Sequence, residues 1–182
     1  AKVISKSSKT FSRDNPEDKG GESGLTILRK QTNIPKILIF ALGTNEPNLT
    51  NEKIGEVLNL AKNSTIVFVT NYKKNSPDTY KNNNTLFFDT AATHSNVIVA
   101  DWAKVAHTDP NKYVSSRDST LVHPTQEGSD LFIKPTVEAM GGIGTGITWK
   151  DGFIADGMPG YTKEVPNGGW SDETENRNYT TN

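Results

Sequence analysis

The sequence of 182 residues contains no cysteine. This absence excludes disulfide bonds, thiolate metal ligands and thiol nucleophiles together. Histidine is scarce too, since only His94, His107 and His123 occur, and they are widely separated. No ordered group of acidic residues accompanies them, so the sequence lacks the pattern typical of a metal site. We therefore predict a site that uses neither a metal ion nor a cofactor.

An excess of charge of one sign is also absent. The 20 lysine and arginine residues are balanced by 21 aspartate and glutamate residues, which gives a formal net charge of −1. A nucleic-acid partner normally requires a basic surface, and this balance offers no electrostatic argument for one. We predict that the chain does not bind nucleic acid.

Long hydrophobic runs are missing from the sequence. No apolar segment is long enough to span a bilayer, and no segment has the pattern of a signal peptide. A membrane-anchored precursor stays compatible with these observations. Asparagine, threonine and lysine are abundant, a composition that resembles surface proteins of low-GC bacteria. It favours an extracellular or cell-surface location.

The apolar runs that are present predict an α/β fold. Ile37 to Leu42 is a continuous apolar run, as expected of a strand buried on both faces of a parallel sheet. Thr65 to Thr70 and Asn96 to Ala100 are the next two predicted strands. Thr50 to Lys62 and Leu86 to His94 have helical patterns and alternate with the strands. This order predicts a parallel sheet with helices on both faces.

Weaker patterns divide the rest of the chain. We predict a short helix from Gly24 to Gln31, a polar loop over the active-site edge from Asn71 to Asn84, and a closing helix from Thr125 to Met140. Pro135 is expected to kink or split that helix. We assign residues 1–140 to one α/β domain and residues 141–182 to a glycine-rich connector with an irregular or short-β tail.

The turn after the first predicted strand is one candidate site. Ligands of open α/β sheets bind beyond the carboxyl ends of the strands. Gly43 permits close backbone approach there, and Asn45 offers an amide donor of the kind that stabilises an oxyanion. The alternative is a strand that ends in a tight turn without chemistry.

A second candidate lies between Asp118 and Gly128. His123 stands directly ahead of a predicted helix start, with Asp118 upstream, and a histidine beside a carboxylate is the general-base half of a hydrolytic triad. The alternative is a surface histidine on a loop that caps a helix. Asp101 and Trp102, after the third strand, either line a pocket for an acyl or sugar group or form a structural corner.

These motifs together resemble the SGNH (GDSL-like) hydrolase family, most closely the extracytoplasmic domains of bacterial peptidoglycan O-acetyltransferases. A strand of the Ile-Ala-Leu-Gly-Thr-Asn type, an Asp-Trp pair and a His-Pro-Thr-x-Glu-Gly segment recur there in this order. Their counterparts are Phe40 to Asn45, Asp101-Trp102, and His123 to Gly128. The likeness runs from about Val3 to Met140. It implies a three-layer sandwich with a central parallel sheet.

The resemblance also implies roles for the site residues. His123 would activate a serine, with Asp118 orienting the imidazole. Gly43 and Asn45 would contribute to the oxyanion hole.

The sequence departs from the family in two places. No Gly-Asp-Ser, the block that carries the nucleophile in the family, occurs in the 182 residues. The segment from Lys2 to Arg13 resembles the part of the family's chain directly after its first helix. We therefore expect the first strand to be missing and the strand from Ile37 to Leu42 to keep an unpaired edge. A separate chain, or residues after Gly146, would fill that edge.

The second departure concerns the acid. The position three before His123 is usually aspartate in the family and is Thr120 here, so the nearest acid is Asp118. Either Asp118 orients the histidine through a slightly longer loop, or the acid has been lost.

The resemblance implies acyl-ester chemistry on a cell-surface glycan, as an esterase or an O-acetyltransferase. Its partners would be an acylated glycan or acyl donor and a polypeptide segment that supplies the serine. Two alternatives stay open. One is a catalytically degenerate module that binds a glycan or a partner. The other is a structural surface or phage-type protein whose tail mediates assembly.

Overall fold

The computed structural model describes residues 2–3, 9–15, 17, 20–117, 119–139 and 177–178. Its helices and strands are named here in chain order. They are β1 (Lys2–Val3), α1 (Gly24–Arg29), β2 (Ile37–Phe40), α2 (Asn51–Leu60), β3 (Thr65–Val69), a 3-10 helix (Pro77–Tyr80), α3 (Lys81–Thr93), β4 (Val97–Ala100), α4 (Trp102–Thr108), α5 (Pro110–Tyr113), α6 (Gln126–Ala139) and β5 (Arg177–Asn178).

A three-stranded parallel sheet lies at the centre, with the order β2-β3-β4. Ile39 pairs with Val67, and Val67 pairs with Ile98. Helix α2 connects the first two strands and α3 connects the last two. Consecutive parallel strands need such crossovers, because a tight turn cannot return the chain to the same edge. The predicted α/β character is confirmed.

One face of the sheet packs against an aromatic cluster. Phe11, Phe40, Phe68 and Phe87 are each at most 4% exposed. The Phe68 and Phe87 rings stack with centroids 4.8 Å apart, and the Phe11 and Phe40 centroids lie 5.0 Å apart. Leucine and valine residues from α1 and α2 complete this cluster. The rings join β2 and β3 to α3 and to the segment that precedes α1.

The opposite face of the sheet packs against α4 and α6. Val67 and Val69 of β3 alternate with the residues that face the aromatic cluster, and they belong to a second buried cluster that includes Trp102. The Trp102 and Phe132 rings meet edge to face at 5.3 Å. Helices therefore lie against both faces. Because the three strands are parallel, all of them end at the same edge, the carboxyl edge, and the loops that follow them begin there.

Strand β2 has an open side. It pairs with β3, and none of the other described strands pairs with it. Ile37 and Ile39 are 37% and 46% exposed, although both belong to an apolar run. Because residues outside the described ranges could pair with this side of β2, the unpaired edge stays a prediction. The strand also ends at Phe40, two residues earlier than predicted.

Several predicted boundaries were wrong. The segment from Asn71 to Asn84 is not a continuous loop, because it contains the 3-10 helix and the start of α3 at Lys81. Helices α4 and α5 were not predicted. Helix α6 continues past Pro135 without being split.

The tail is described only at residues 177–178, which pair antiparallel with residues 2–3. The predicted connector and the rest of the tail lie outside the described residues. Whether residues after Gly146 fill the edge of β2 therefore stays a prediction. No described helix has the length and apolar character needed to cross a membrane.

Two neighbouring phenylalanines in α3 test the packing. Phe87 is fully buried in the aromatic cluster, whereas Phe88 is 46% exposed. We expect Phe87→Ala to lower the free energy of unfolding by about 3–5 kcal/mol, because it opens a cavity beside Phe68. Phe88→Ala should change it by less than about 0.5 kcal/mol. Urea unfolding of both variants measures the difference, and similar losses would contradict the described orientation of α3.

Candidate functional site

The turn from Gly43 to Glu46 comes after β2 at the carboxyl edge of the sheet. The Glu46 amide donates to the Gly43 carbonyl at 3.0 Å and closes the turn. Gly43 has φ +127°, a backbone conformation that residues with a Cβ rarely adopt. A Cβ there would lie 2.3 Å from Asn71 Oδ1. Glycine is favoured here by the positive φ and by the close Asn71 side chain, and its predicted role in the approach of a ligand stays a prediction.

The turn is anchored on one side by the segment before α1. Asn45 is exposed, and its Nδ2 donates to the Lys9 carbonyl at 3.1 Å. The Glu46 carboxylate accepts from the Ser12 amide at 2.8 Å and from the Ser12 hydroxyl at 2.5 Å. The Asn45 side chain is therefore held in place, and it uses one of its two N–H donors to do so.

Tyr80 anchors the turn from the other side. Its hydroxyl donates to the Thr44 carbonyl at 2.9 Å. Tyr80 is 4% exposed, and burial raises the pKa of its phenol above the ordinary value. The phenol therefore stays protonated and able to donate throughout the neutral range.

Asparagines at the start of α3 hold two loops together. Asn83 is fully buried: its Nδ2 donates to the carbonyls of Glu46 at 2.8 Å and Gly43 at 3.4 Å, and its Oδ1 accepts from the Leu49 amide at 2.9 Å. Asn84 donates to the Asn71 carbonyl at 2.9 Å and accepts from the Asn71 amide at 2.8 Å. Both asparagines were predicted to lie in a loop. The run of three asparagines that ends at Asn84 was the signal in the sequence that could have indicated them.

Asn71 lies between these loops. It comes after β3, is 5% exposed, and its Nδ2 donates to the Leu42 carbonyl at 3.5 Å. Its Oδ1 is buried against Gly43, and within the described residues no group donates to it. A buried acceptor without a donor costs about 1–3 kcal/mol. The neighbouring hydrogen bonds of the Asn71 backbone to Asn84 offset this cost.

The loop that carries His123 rests on the same part of the sheet. The Lys74 amide donates to the Leu121 carbonyl at 3.0 Å, and the Ser115 amide donates to the His123 carbonyl at 2.8 Å. Leu121 has φ +56°, an uncommon conformation for a residue with a branched side chain. Strained residues of this kind concentrate at functional sites. The two hydrogen bonds fix the backbone of the loop around the imidazole.

His123 is exposed, and its Nδ1 lies 3.3 Å from Thr120 Oγ1. Thr120 occupies the position where the resemblance leads us to expect an acid. Asp118, the predicted orienting carboxylate, lies outside the described residues. The structure therefore brings Thr120 to the imidazole, while the role of Asp118 stays a prediction.

The residues after His123 have structural roles in capping and packing α6. Thr125 Oγ1 accepts from the Gly128 amide at 3.0 Å and caps α6, while its hydroxyl donates to the Lys112 carbonyl at 2.7 Å. A Cβ at Gly128 would lie 2.0 Å from the Tyr113 carbonyl oxygen. The Thr125 amide also donates to that oxygen, at 3.0 Å. This part of the motif docks α6 against α5 and thereby places the histidine loop.

Asp101 and Trp102 have the contacts of a structural corner. Asp101 Oδ1 accepts from the Lys104 amide at 3.2 Å, which caps α4, and from the Thr70 hydroxyl at 3.1 Å. Trp102 is 2% exposed and packs on Phe132. These contacts are those expected of the structural corner, one of the two alternatives, and a pocket-lining role for Asp101 and Trp102 stays a prediction.

The other two histidines have contacts of their own. His94 Nδ1 lies 3.1 Å from the Thr90 carbonyl at the end of α3, and His107 Nδ1 lies 3.3 Å from the Tyr72 hydroxyl. Among the residues that the structure describes, no three histidine, aspartate or glutamate side chains gather in a way that would hold a metal ion.

The two candidate loops share one support. Asn71 donates to the Leu42 carbonyl, directly before the turn that carries Asn45, and lies close to Gly43, while the amide of Lys74, three residues later, donates to the loop that carries His123. Both loops therefore lie at the carboxyl edge, beside the segment that leaves β3. That His123 and Asn45 face one cleft stays a prediction.

Comparison with protein-family models and with curated proteins gives no match for this chain.

The close approach at Gly128 gives a test of the histidine loop. We expect Gly128→Ala to lower the free energy of unfolding by about 1–3 kcal/mol, because the new methyl group overlaps the Tyr113 carbonyl. Gly55 is the matched control, since it lies inside α2 with nothing within 4 Å of its Cβ position. Gly55→Ala should raise the free energy by about 0.5–1 kcal/mol. Urea unfolding measures both, and a gain at Gly128 would contradict the docking of α6 on α5.

Tyr80 predicts how the turn responds to alkaline pH. Its folded pKa is raised, so its contribution to stability is complete below the unfolded pKa of about 10 and declines as pH rises above that value. Tyr80→Phe should cost about 1 kcal/mol at neutral pH and flatten the alkaline decline. Urea unfolding at neutral pH and in the alkaline range checks both effects, with Tyr113→Phe as the control. An unchanged alkaline slope in Tyr80→Phe would be the contrary result.

Proposed function

We propose that this chain contributes the histidine and the oxyanion-binding turn of an SGNH-like site for acyl-ester chemistry on a bacterial cell-surface glycan. The observation that supports this most is the shared support of the two loops. Both loops adjoin the segment leaving β3. Asn71 donates to the carbonyl of Leu42, directly before the Gly43–Glu46 turn, and its Oδ1 lies close to Gly43, while the Lys74 amide donates to Leu121 in the His123 loop. Ligands of open parallel sheets bind at this edge.

In this proposal His123 is the general base. The serine hydroxyl transfers its proton to the imidazole as the oxygen attacks the ester carbonyl, and the imidazolium returns the proton to the departing alcohol. This role requires the tautomer that carries its hydrogen on Nδ1, and Thr120 Oγ1, 3.3 Å from Nδ1, is able to accept that hydrogen. Nε2 is then the basic atom. Water or a sugar hydroxyl would release the acyl group in the second step.

Asn45 supplies the oxyanion donor. Its bond to the Lys9 carbonyl uses one N–H and fixes the direction of the other. A fixed donor is what such a site requires, because it then costs no reorganisation when charge develops. Gly43 acts indirectly, by permitting the turn to pass close to Asn71.

The nucleophile is assigned to a polypeptide segment outside these 182 residues, because no Gly-Asp-Ser occurs in them. This assignment is supported by β2, because no other described strand pairs with its outer side and Ile37 and Ile39 are exposed there. An apolar strand with an unpaired edge is prone to recruit another strand. A strand paired there in parallel would end beside the Gly43–Glu46 turn.

A second candidate function is a degenerate module that binds acylated glycan without chemistry. Thr120 in the usual place of the acid favours it, as does the use of an Asn45 donor by Lys9. In either case the proposed location is the bacterial surface and the proposed ligand is a glycan. The two candidates differ only in turnover.

Turnover of 4-nitrophenyl acetate separates the candidates. The 182 residues alone should show no turnover that depends on His123, because a base and an oxyanion donor lack a nucleophile. Adding the Gly-Asp-Ser segment, fused or as a second chain, should restore turnover and labelling by a fluorophosphonate probe. His123→Ala should then abolish turnover, and Asn45→Ala should reduce it by about 10²–10³.

His94→Ala is the matched control, because His94 is an exposed histidine at the end of α3, on the opposite edge of the sheet. It should leave turnover unchanged. Strong turnover that depends on His123 in the isolated chain would refute the assignment of the nucleophile. Glycan binding without turnover after reconstitution would favour the degenerate module.

A further inference from the structure

Two adjacent asparagines of α3 contact the loop that carries Asn45 and the segment after β3 that supports the His123 loop. Asn83 binds three backbone groups of the loop that begins with the Gly43–Glu46 turn, and Asn84 binds both backbone groups of Asn71. Neighbouring side chains of one helix thus fix two loops that leave different strands. We propose that Asn83 and Asn84 are positioning residues that set the relative placement of Asn45 and His123.

Asn83 acts on the placement of Asn45. Asn83 is fully buried, and both its amide nitrogen and its amide oxygen bind the loop from Gly43 to Leu49. Its bonds to the Gly43 and Glu46 carbonyls bracket Asn45 in the chain. The turn therefore cannot rotate the Asn45 amide without breaking bonds to a buried amide, which would leave polar groups unsatisfied.

Asn84 acts on the placement of both Asn45 and His123. Asn84 pairs with the Asn71 backbone as a neighbouring strand would, and it does so where β3 has already ended. From Asn71 one connection runs to Leu42 and Gly43, through the Asn71 side chain. A second runs along the chain to Lys74, whose amide binds the loop that carries His123.

The catalytic meaning of this inference rests on the proposed function, but its geometry can be tested without turnover. The readouts are the NMR resonances of the Asn45 side-chain amide and of the His123 imidazole. Asn83→Ala should shift the Asn45 amide and speed its hydrogen exchange by roughly tenfold, while the His123 resonances stay in place. Asn84→Ala should shift both sets of resonances.

Lys81→Ala is the control, since Lys81 is exposed at the start of the same helix. It should shift neither set. A general loss of stability would move both sets in Asn83→Ala as well. That result, or an Asn84→Ala variant that leaves His123 unmoved, would overturn the proposal.

Native-state hydrogen exchange of the unaltered chain decides the matter if Asn83→Ala does not fold. The Leu49 amide, the Glu46 amide and the Asn83 side-chain amide should then exchange through one opening event, with the same dependence on denaturant. Separate opening events would overturn the role of Asn83. In the reconstituted enzyme, Asn83→Ala should reduce kcat by about 10²–10³, as loss of the Asn45 donor does, and change KM little. The predicted NMR pattern without turnover would refute the proposed function alone.

Discussion

The carboxyl edge of this sheet depends on side-chain amides that replace backbone pairing. Once β2 and β3 end, their continuing segments no longer pair with one another, yet several of their N–H and C=O groups stay buried. Such groups must find partners, or each costs about 1–3 kcal/mol. Asn83 and Asn84 supply those partners from a single helix turn. In this way Asn83 holds the loop that carries Asn45, and Asn84 holds Asn71 in the segment that leads to the His123 loop.

The strands were predictable because their signal is local. An unbroken apolar run such as Thr65–Val69 has few other interpretations when polar segments flank it. The start of α3 was not predictable in the same way, because asparagine disfavours helix interiors and favours loops. Its presence there is explained by partners more than 30 residues away in the chain, at Gly43, Glu46 and Leu49. Local propensity carries no information about such contacts.

The same distinction between local and long-range information applies to the candidate site. The direction of parallel strands was enough to predict that the residues after β2 lie at the carboxyl edge. It was not enough to predict the roles of the individual motif residues. Gly43 avoids Asn71, Gly128 avoids Tyr113, and Asp101 caps a helix that was not predicted. These are steric and capping requirements, and they depend on elements whose positions the chain order alone does not give.

These structural requirements weaken the motifs as evidence for a reaction. Most of their residues are needed to build the loops, whether or not a reaction takes place there, so a chain that has lost its nucleophile would still retain them. The Asn45 amide belongs partly to this group, because it also holds the Lys9 carbonyl. The His123 imidazole differs, because it is exposed at the surface beside Thr120 and is not part of the core. The proposed catalysis therefore depends more on His123 than on the motif that surrounds it.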